Sequence, residues 1–90
     1  MKSRVRAFVC GKVQGVFFRS FTKSEAASLE IHGWVRNLRD GRVEVLVEGN
    51  KGALDELLGR IREGSPGSMV EKVDVMWEKY VGDLNGFRIV

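Results

Sequence analysis

From Arg4 to Val9 the chain alternates, with Val5, Ala7 and Val9 on one side and Arg4, Arg6 and Phe8 on the other. That period of two predicts a half-buried strand. Two glycines in Gly11-Lys12-Val13-Gln14-Gly15 break the alternation and predict a loop. From Phe18 the apolar spacing becomes helical: Phe18, Phe21, Thr22, Ala26 and Leu29 share one face, so a helix is expected from about Arg19 to Glu30. Gly33 ends that stretch, and Trp34-Val35 begins a second strand. Leu38-Arg39-Asp40-Gly41 is a hairpin signal, because Asp-Gly suits a turn that needs positive φ. Val43, Val45 and Val47, alternating with Glu44, Leu46 and Glu48, form the returning strand. Gly49-Asn50 leads into a second helix with Asn50 as its expected N-cap, and Leu54, Leu57, Leu58 and Ile61 are its buried stripe. Gly64 and Pro66 stop it. Val73, Val75 and Trp77 alternate as a fourth strand, and a loop from Gly82 to Gly86 leads to a short apolar end, Phe87-Arg88-Ile89-Val90.

The order β-α-β-β-α-β with a short terminal strand predicts an α+β, ferredoxin-like sandwich: two helices on one face of an antiparallel sheet. Ninety residues suit one domain, 1–90, with a single two-layer core. One proline and one cysteine argue against a disordered or disulfide-stapled chain, and the lone Cys10 suits a reducing cytosol. Behind the basic start the apolar run is only Ala7-Phe8-Val9-Cys10, too short for a signal-peptide core or a membrane span. A cytoplasmic monomer with no membrane partner is expected. The net charge is +3, but Glu44, Glu48, Glu56 and Glu63 are interspersed among the basic residues. Nucleic-acid binding calls for basic residues gathered on one face, so this pattern favours small anions, though weakly.

Several chemistries find no support. The chain has one cysteine and one histidine, so no cluster with metal-ligand spacing exists, and a nucleophile pair would depend wholly on His32. Gly11-Lys12 lacks the spacing of a nucleotide-binding loop. What remains is the strand-loop-helix junction Gly11-Lys12-Val13-Gln14-Gly15-Val16-Phe17-Phe18-Arg19. A turn containing Gly15 can aim successive N–H groups into one concavity, and the helix behind it adds free amides and a positive dipole end. Arg19 can add a bidentate grip on two phosphoryl oxygens. On residue types alone, a glycine-containing βα turn with a solvated arginine explains the segment equally well.

The run from Val9 to Arg19 resembles the first signature of the acylphosphatase family at each constrained position. Gly33-Trp34-Val35-Arg36-Asn37, followed by Gly41, Val43 and Gly49, resembles the second. The similarity spans essentially the whole chain. It implies hydrolysis of an acyl phosphate to a carboxylate and inorganic phosphate, with no cofactor and no metal. The implied cradle for the phosphoryl oxygens is the loop of Gln14, Gly15, Val16, Phe17, Phe18 and Arg19. Arg19 would neutralise the phosphoryl charge and Asn37 would hold the water in line for attack on phosphorus. No separate general base is needed, since the substrate's own phosphate can accept the proton. Many animal members carry threonine after this asparagine; here Leu38 offers no hydroxyl.

Other residues have plainer readings. His32 is a turn histidine, Cys10 a small packing residue, and Trp34, Trp77 and Phe87 are core or sheet-face aromatics. Phe17 stands between the site mouth and the core. Arg36, Arg39 and Arg42 read as a solvated edge that discourages strand pairing. Three alternatives compete. An RNA-binding sheet would need exposed aromatics, but Arg4, Arg6, Phe8, Arg42, Glu44, Leu46 and Glu48 supply one aromatic and two acids. A non-catalytic small-ligand domain of the same fold would show no turnover of a generic acyl phosphate. A carbamoyl-phosphate-handling domain of a larger maturation enzyme is disfavoured by a chain of ninety residues.

Overall fold

Valines at alternate positions of three neighbouring strands give one sheet face a continuous apolar surface, and both helices bury their stripes on it. The computed structural model describes residues 1–90. Its elements run β1 (Lys2–Lys12), α1 (Phe18–Ser28), β2 (His32–Asn37), β3 (Val43–Asn50), α2 (Lys51–Glu63), β4 (Met69–Glu78) and β5 (Phe87–Ile89). The sheet order is β4-β1-β3-β2-β5. Its register stacks Val5 on Val47, Ala7 on Val45 and Val9 on Val43, with Val35 opposite Val45. Phe18 and Ala26 of α1 and Leu54, Leu57, Leu58 and Ile61 of α2 close the core over these valines.

The ferredoxin-like α+β expectation holds, but the sheet is mixed rather than antiparallel. β5 pairs parallel to β2, with Gly33 beside Phe87 and Val35 beside Ile89. The cause is topological. Both Glu78 and His32 lie at the sheet end marked by Arg4 and Glu48, so β4 finishes where β2 starts. A chain crossing that end must re-enter in the direction of β2.

Local limits differ in ways the packing explains. α1 ends at Ser28, short of Glu30, because Glu30 turns left-handed (φ 57°) and delivers Ile31 into the core. Asn50 precedes α2 but its side chain caps nothing. Instead, the Lys51 N–H donates to the Met1 carbonyl at 2.9 Å. Gly33 has no room for a side chain, since a Cβ there would lie 2.0 Å from the Leu46 carbonyl oxygen.

The alternation in β3 does not leave one side in water. Glu44 and Glu48 are only 3% and 2% exposed. Buried carboxylates persist when charge-assisted donors surround them. Glu44 is paired by Arg6 and by Arg36, the latter at 2.7 Å. Glu48 takes Arg4 at 3.2 Å and the backbone N–H groups of Val81 at 2.7 Å and Gly82 at 3.1 Å.

Of the arginines read from sequence as a solvated edge, Arg36 lies on the inner strand β2 and Arg39 and Arg42 in the turn between β2 and β3, whereas the sheet edges are β4 and β5. Arg36 also stacks on Trp34, Arg42 covers Phe8 and pairs with Asp40, and Arg39 alone is simply exposed. Trp34 and Phe87 are half-buried, whereas Trp77 lies at the rim under Lys51. Cys10 is a half-buried free thiol.

These ion pairs make stability depend on acid. Burial opposes ionisation of Glu48, but the Val81 and Gly82 amides and the Arg4 guanidinium outweigh it, holding the carboxyl below its ordinary value. The hydrogen bond from Arg6 does the same for Glu78. A carboxyl lowered by folding contributes stability above its unfolded pKa of roughly 4.3 and loses it as pH falls through the folded value. The melting temperature should therefore fall progressively below about pH 4 to 5. Glu48→Gln should be less stable at neutral pH and should show a shallower acid limb when melted by circular dichroism across pH. A variant with the parental slope would mean that Glu48 is not the responsible group.

Candidate active site

The β1–α1 connection is bent by two left-handed residues, Gly15 at φ 74° and Phe17 at φ 58°. Glycine adopts this conformation freely, whereas for phenylalanine it costs roughly 1–2 kcal/mol. Left-handed turns between extended or helical residues bring consecutive amides to one side, forming a concave anion site. α1 begins directly after Phe17, with no side-chain cap and no acidic residue in its first turn. The first helical bond runs from Phe21 N–H to the Phe17 carbonyl at 3.0 Å, and none of the N–H groups from Gln14 to Ser20 donates to another group of the chain. A run of open amides at a helix N-terminus attracts negative charge.

These residues enclose a cavity of about 260 Å³, lined by Val13, Gly15, Phe17, Phe18, Arg19, Ser20 and Ile89. No acidic side chain lines it. Arg19 is exposed in the first turn of α1 and makes no ion pair, whereas Arg4, Arg6, Arg36, Arg42 and Arg60 are all engaged by carboxylates. Its charge is thus available to a ligand in the cavity.

Of the sequence-predicted residues, Gly15, Phe17, Phe18 and Arg19 meet around this cavity. Phe17 is 85% exposed, which places it at the site mouth and not in the core. The Phe18 ring is buried in the core, so its backbone is what it can offer a ligand. Val16 is half-buried, and its carbonyl accepts a bond from the Ser65 hydroxyl at 3.5 Å. Gln14 is not among the lining residues, and its side-chain amide nitrogen donates to the carbonyls of Leu38 at 2.7 Å and Arg42 at 2.9 Å.

Asn37 ends β2 beside Val43 and is not among the lining residues. Its amide oxygen is shielded from solvent and has no hydrogen-bond partner in the chain. A buried acceptor left open is costly in a purely structural role, and it marks Asn37 as a residue aimed at something else.

His32 is exposed and its Nδ1 accepts the Gly86 N–H at 2.8 Å, fixing the approach to β5 as a turn histidine would. Three cavity residues lie outside the predicted set: Val13, which stands directly before it in the chain, Ser20 and Ile89. Ser20 follows Arg19 in the first helical turn and could have been included on that ground. Ile89 could not, because it arrives through the parallel pairing of β5.

Residues 5–89 match the family model described as Acylphosphatase. The chain is 51% identical over 86 residues to an acylphosphatase of Rubrobacter xylanophilus, covering 96% of this chain and 78% of that protein. It is 44% identical over 90 residues to an acylphosphatase of Syntrophus aciditrophicus, covering 100% and 94%. The crystal structure of acylphosphatase from Bacillus subtilis superposes with a TM-score of 0.95 at 40% identity, over 100% of this chain and 99% of that one.

The loop geometry is open to a direct test. A Cβ added at Gly15 would meet nothing within 4 Å, so Gly15→Ala perturbs the backbone conformation and nothing else. Strain of about 1 kcal/mol corresponds to roughly fivefold weaker binding of inorganic phosphate. Isothermal titration should show that loss, and the same strain should lower the melting temperature by a few degrees without unfolding the protein. An unaltered dissociation constant would remove Gly15 from the anion cradle.

Proposed function

The chain belongs to the acylphosphatase family and is a hydrolase acting on acyl phosphates; from that premise we propose how its residues divide the work. The phosphoryl oxygens accept hydrogen bonds from the open backbone amides of the loop from Gln14 to Arg19, whose path the Gln14 side chain and the Val16 carbonyl help to shape. Arg19 grips the same group and neutralises its charge. Asn37, at the end of β2, positions the attacking water through its side-chain amide. The water oxygen bonds to phosphorus, the bond from phosphorus to the acyl oxygen breaks, and the carboxylate leaves with inorganic phosphate as the second product. The displaced proton passes to a phosphoryl oxygen, so no side-chain base is required.

The observation that carries this reading is the cavity lined by Gly15 and Arg19 at a helix start whose N–H groups are all free. Phosphoryl transfer is governed by positioning and by stabilisation of charge, which this arrangement supplies. The carboxylate product is a good leaving group, so the absence of a paired acid is no obstacle. Phe17 and Ile89 give the cavity an apolar side against which the hydrocarbon part of an acyl group can pack. No three His, Cys, Asp or Glu side chains gather to hold a metal ion, and neither a metal nor a cofactor enters this scheme. No helix is long and apolar enough to cross a membrane. With its free thiol at Cys10, the protein suits a reducing cytoplasm, where it would act as a monomer on small acyl phosphates without nucleic acid.

Two variants separate the proposed roles. Arg19 touches the phosphoryl group in both ground and transition states, so Arg19→Ala should weaken inhibition by inorganic phosphate and lower kcat together. Asn37→Ala should leave phosphate inhibition nearly intact while lowering kcat by on the order of a hundredfold. The measurement is turnover of benzoyl phosphate beside phosphate inhibition, with circular dichroism confirming the fold. A folded Asn37→Ala enzyme with parental kcat would overturn the water-holding role. Turnover should also survive dialysis against excess chelator; activity that vanishes and returns with one divalent ion would sink the metal-free scheme.

A further inference from the structure

The division of labour above leaves a geometric problem. Arg19 belongs to the start of α1 and Asn37 to the end of β2, yet in-line attack requires the two to keep a fixed relation. Apolar packing resists separation but permits sliding by fractions of an ångström, whereas hydrogen bonds are directional.

We propose that Gln14 is a positioning residue that locks the phosphate-holding loop to the strand end carrying Asn37. Its Nε2 donates to the Leu38 carbonyl at 2.7 Å and to the Arg42 carbonyl at 2.9 Å, so both of its amide protons are used. Those two carbonyls already close the β2–β3 hairpin, accepting from Gly41 N–H at 3.2 Å and Leu38 N–H at 2.8 Å. A carbonyl oxygen has two lone pairs, and Gln14 fills the second on each.

The bonds join the residue directly before Gly15 to the residue directly after Asn37. They are the hydrogen bonds between this loop and the hairpin; apart from bonds within α1 and its first turn, the other bond to the loop comes from Ser65, outside the hairpin, at 3.5 Å. With its donors committed to the hairpin, the Gln14 side chain has only a carbonyl oxygen to spare, which a phosphoryl group would repel. It therefore acts through Asn37 and the loop, not on the substrate.

This inference rests on the roles given to Arg19 and Asn37, and its signature differs from theirs. Gln14→Glu keeps the shape but at neutral pH turns a carboxylate, with no proton to donate, onto two carbonyl oxygens. Its kcat for benzoyl phosphate should fall about tenfold or more, as expected for misplacement by a fraction of an ångström to an ångström. Inhibition by inorganic phosphate should weaken by a smaller factor than kcat falls, because Arg19 and the backbone amides that hold it remain.

Facing carbonyls favour the protonated acid, which regains one donor. The ratio of variant to parental kcat should therefore climb between pH 7.5 and pH 5, a recovery that Gln14→Leu, with no donor at any pH, should not show. A merely structural defect would give the two variants the same pH profile. Gln14→Leu with parental kcat would overturn the proposal, as would a Gln14→Glu deficit that is flat with pH, or phosphate affinity lost in step with kcat in both variants. Asn37→Ala measured alongside separates the two readings: a fall there with none in Gln14→Leu refutes the tether alone, whereas parental turnover in Asn37→Ala refutes the water-holding role on which the tether rests.

Discussion

A carboxylate taken out of water must be met by donors on every side, and the Glu48 side chain imposes that demand near one end of the sheet. Arg4 answers from β1, and the amides of Val81 and Gly82 answer from the segment that crosses from β4 to the opposite edge. Arg4 reaches on to Asp83 and Glu78, so the crossing segment is held at several points. The crossing in turn delivers Gly86, whose N–H meets His32 and whose carbonyl accepts from Gly33. Only then does β5 lie beside β2 and bring Ile89 to the cavity. One wall of the site is thus set by a charge pairing near the far end of the sheet.

The functional loop is organised on the opposite principle. Where Glu48 gathers donors to itself, the segment from Gln14 to Ser20 keeps its backbone N–H donors unspent. The surrounding fold can sustain this because the loop is anchored by other means: the Phe18 ring in the core, the Ser65 hydroxyl on the Val16 carbonyl, and the Gln14 side chain on the hairpin. The left-handed backbone at Phe17 is a further cost carried by those anchors. Fixed donors of this kind need little reorganisation when charge shifts during reaction, which is where a preorganised site gains over water.

Much of this was legible in the residues. Period-two valines and the Leu54, Leu57, Leu58, Ile61 stripe identified the strands and α2, because side-chain direction follows directly from backbone geometry. The Gly15 turn followed by Arg19 pointed to an anion site no more strongly than to a plain βα turn; two motif-length resemblances favoured the first reading and supplied Asn37, which no local pattern would have singled out. The remainder was non-local. Whether β5 runs parallel depends on which edge the chain reaches after crossing the sheet. The burial of Glu44 and Glu48 depends on arginines from neighbouring strands that a single-strand reading cannot see. Gln14 looked like one more loop amide, since its partners lie in a hairpin far along the chain. Asn50 does occupy the N-cap position, but its side chain makes no bond to the first turn of α2.

The cradle of main-chain N–H groups proposed above also has an evolutionary consequence. Its ligating atoms are the same whatever side chain each position bears, so substitution at a loop position can alter the rim without deleting a ligand. Constraint falls instead on residues that dictate the path of the backbone, and on the few side chains whose own atoms are used. Such a site can drift in its outer contacts, and hence in which acyl groups it favours, while the handling of the phosphoryl group stays unchanged.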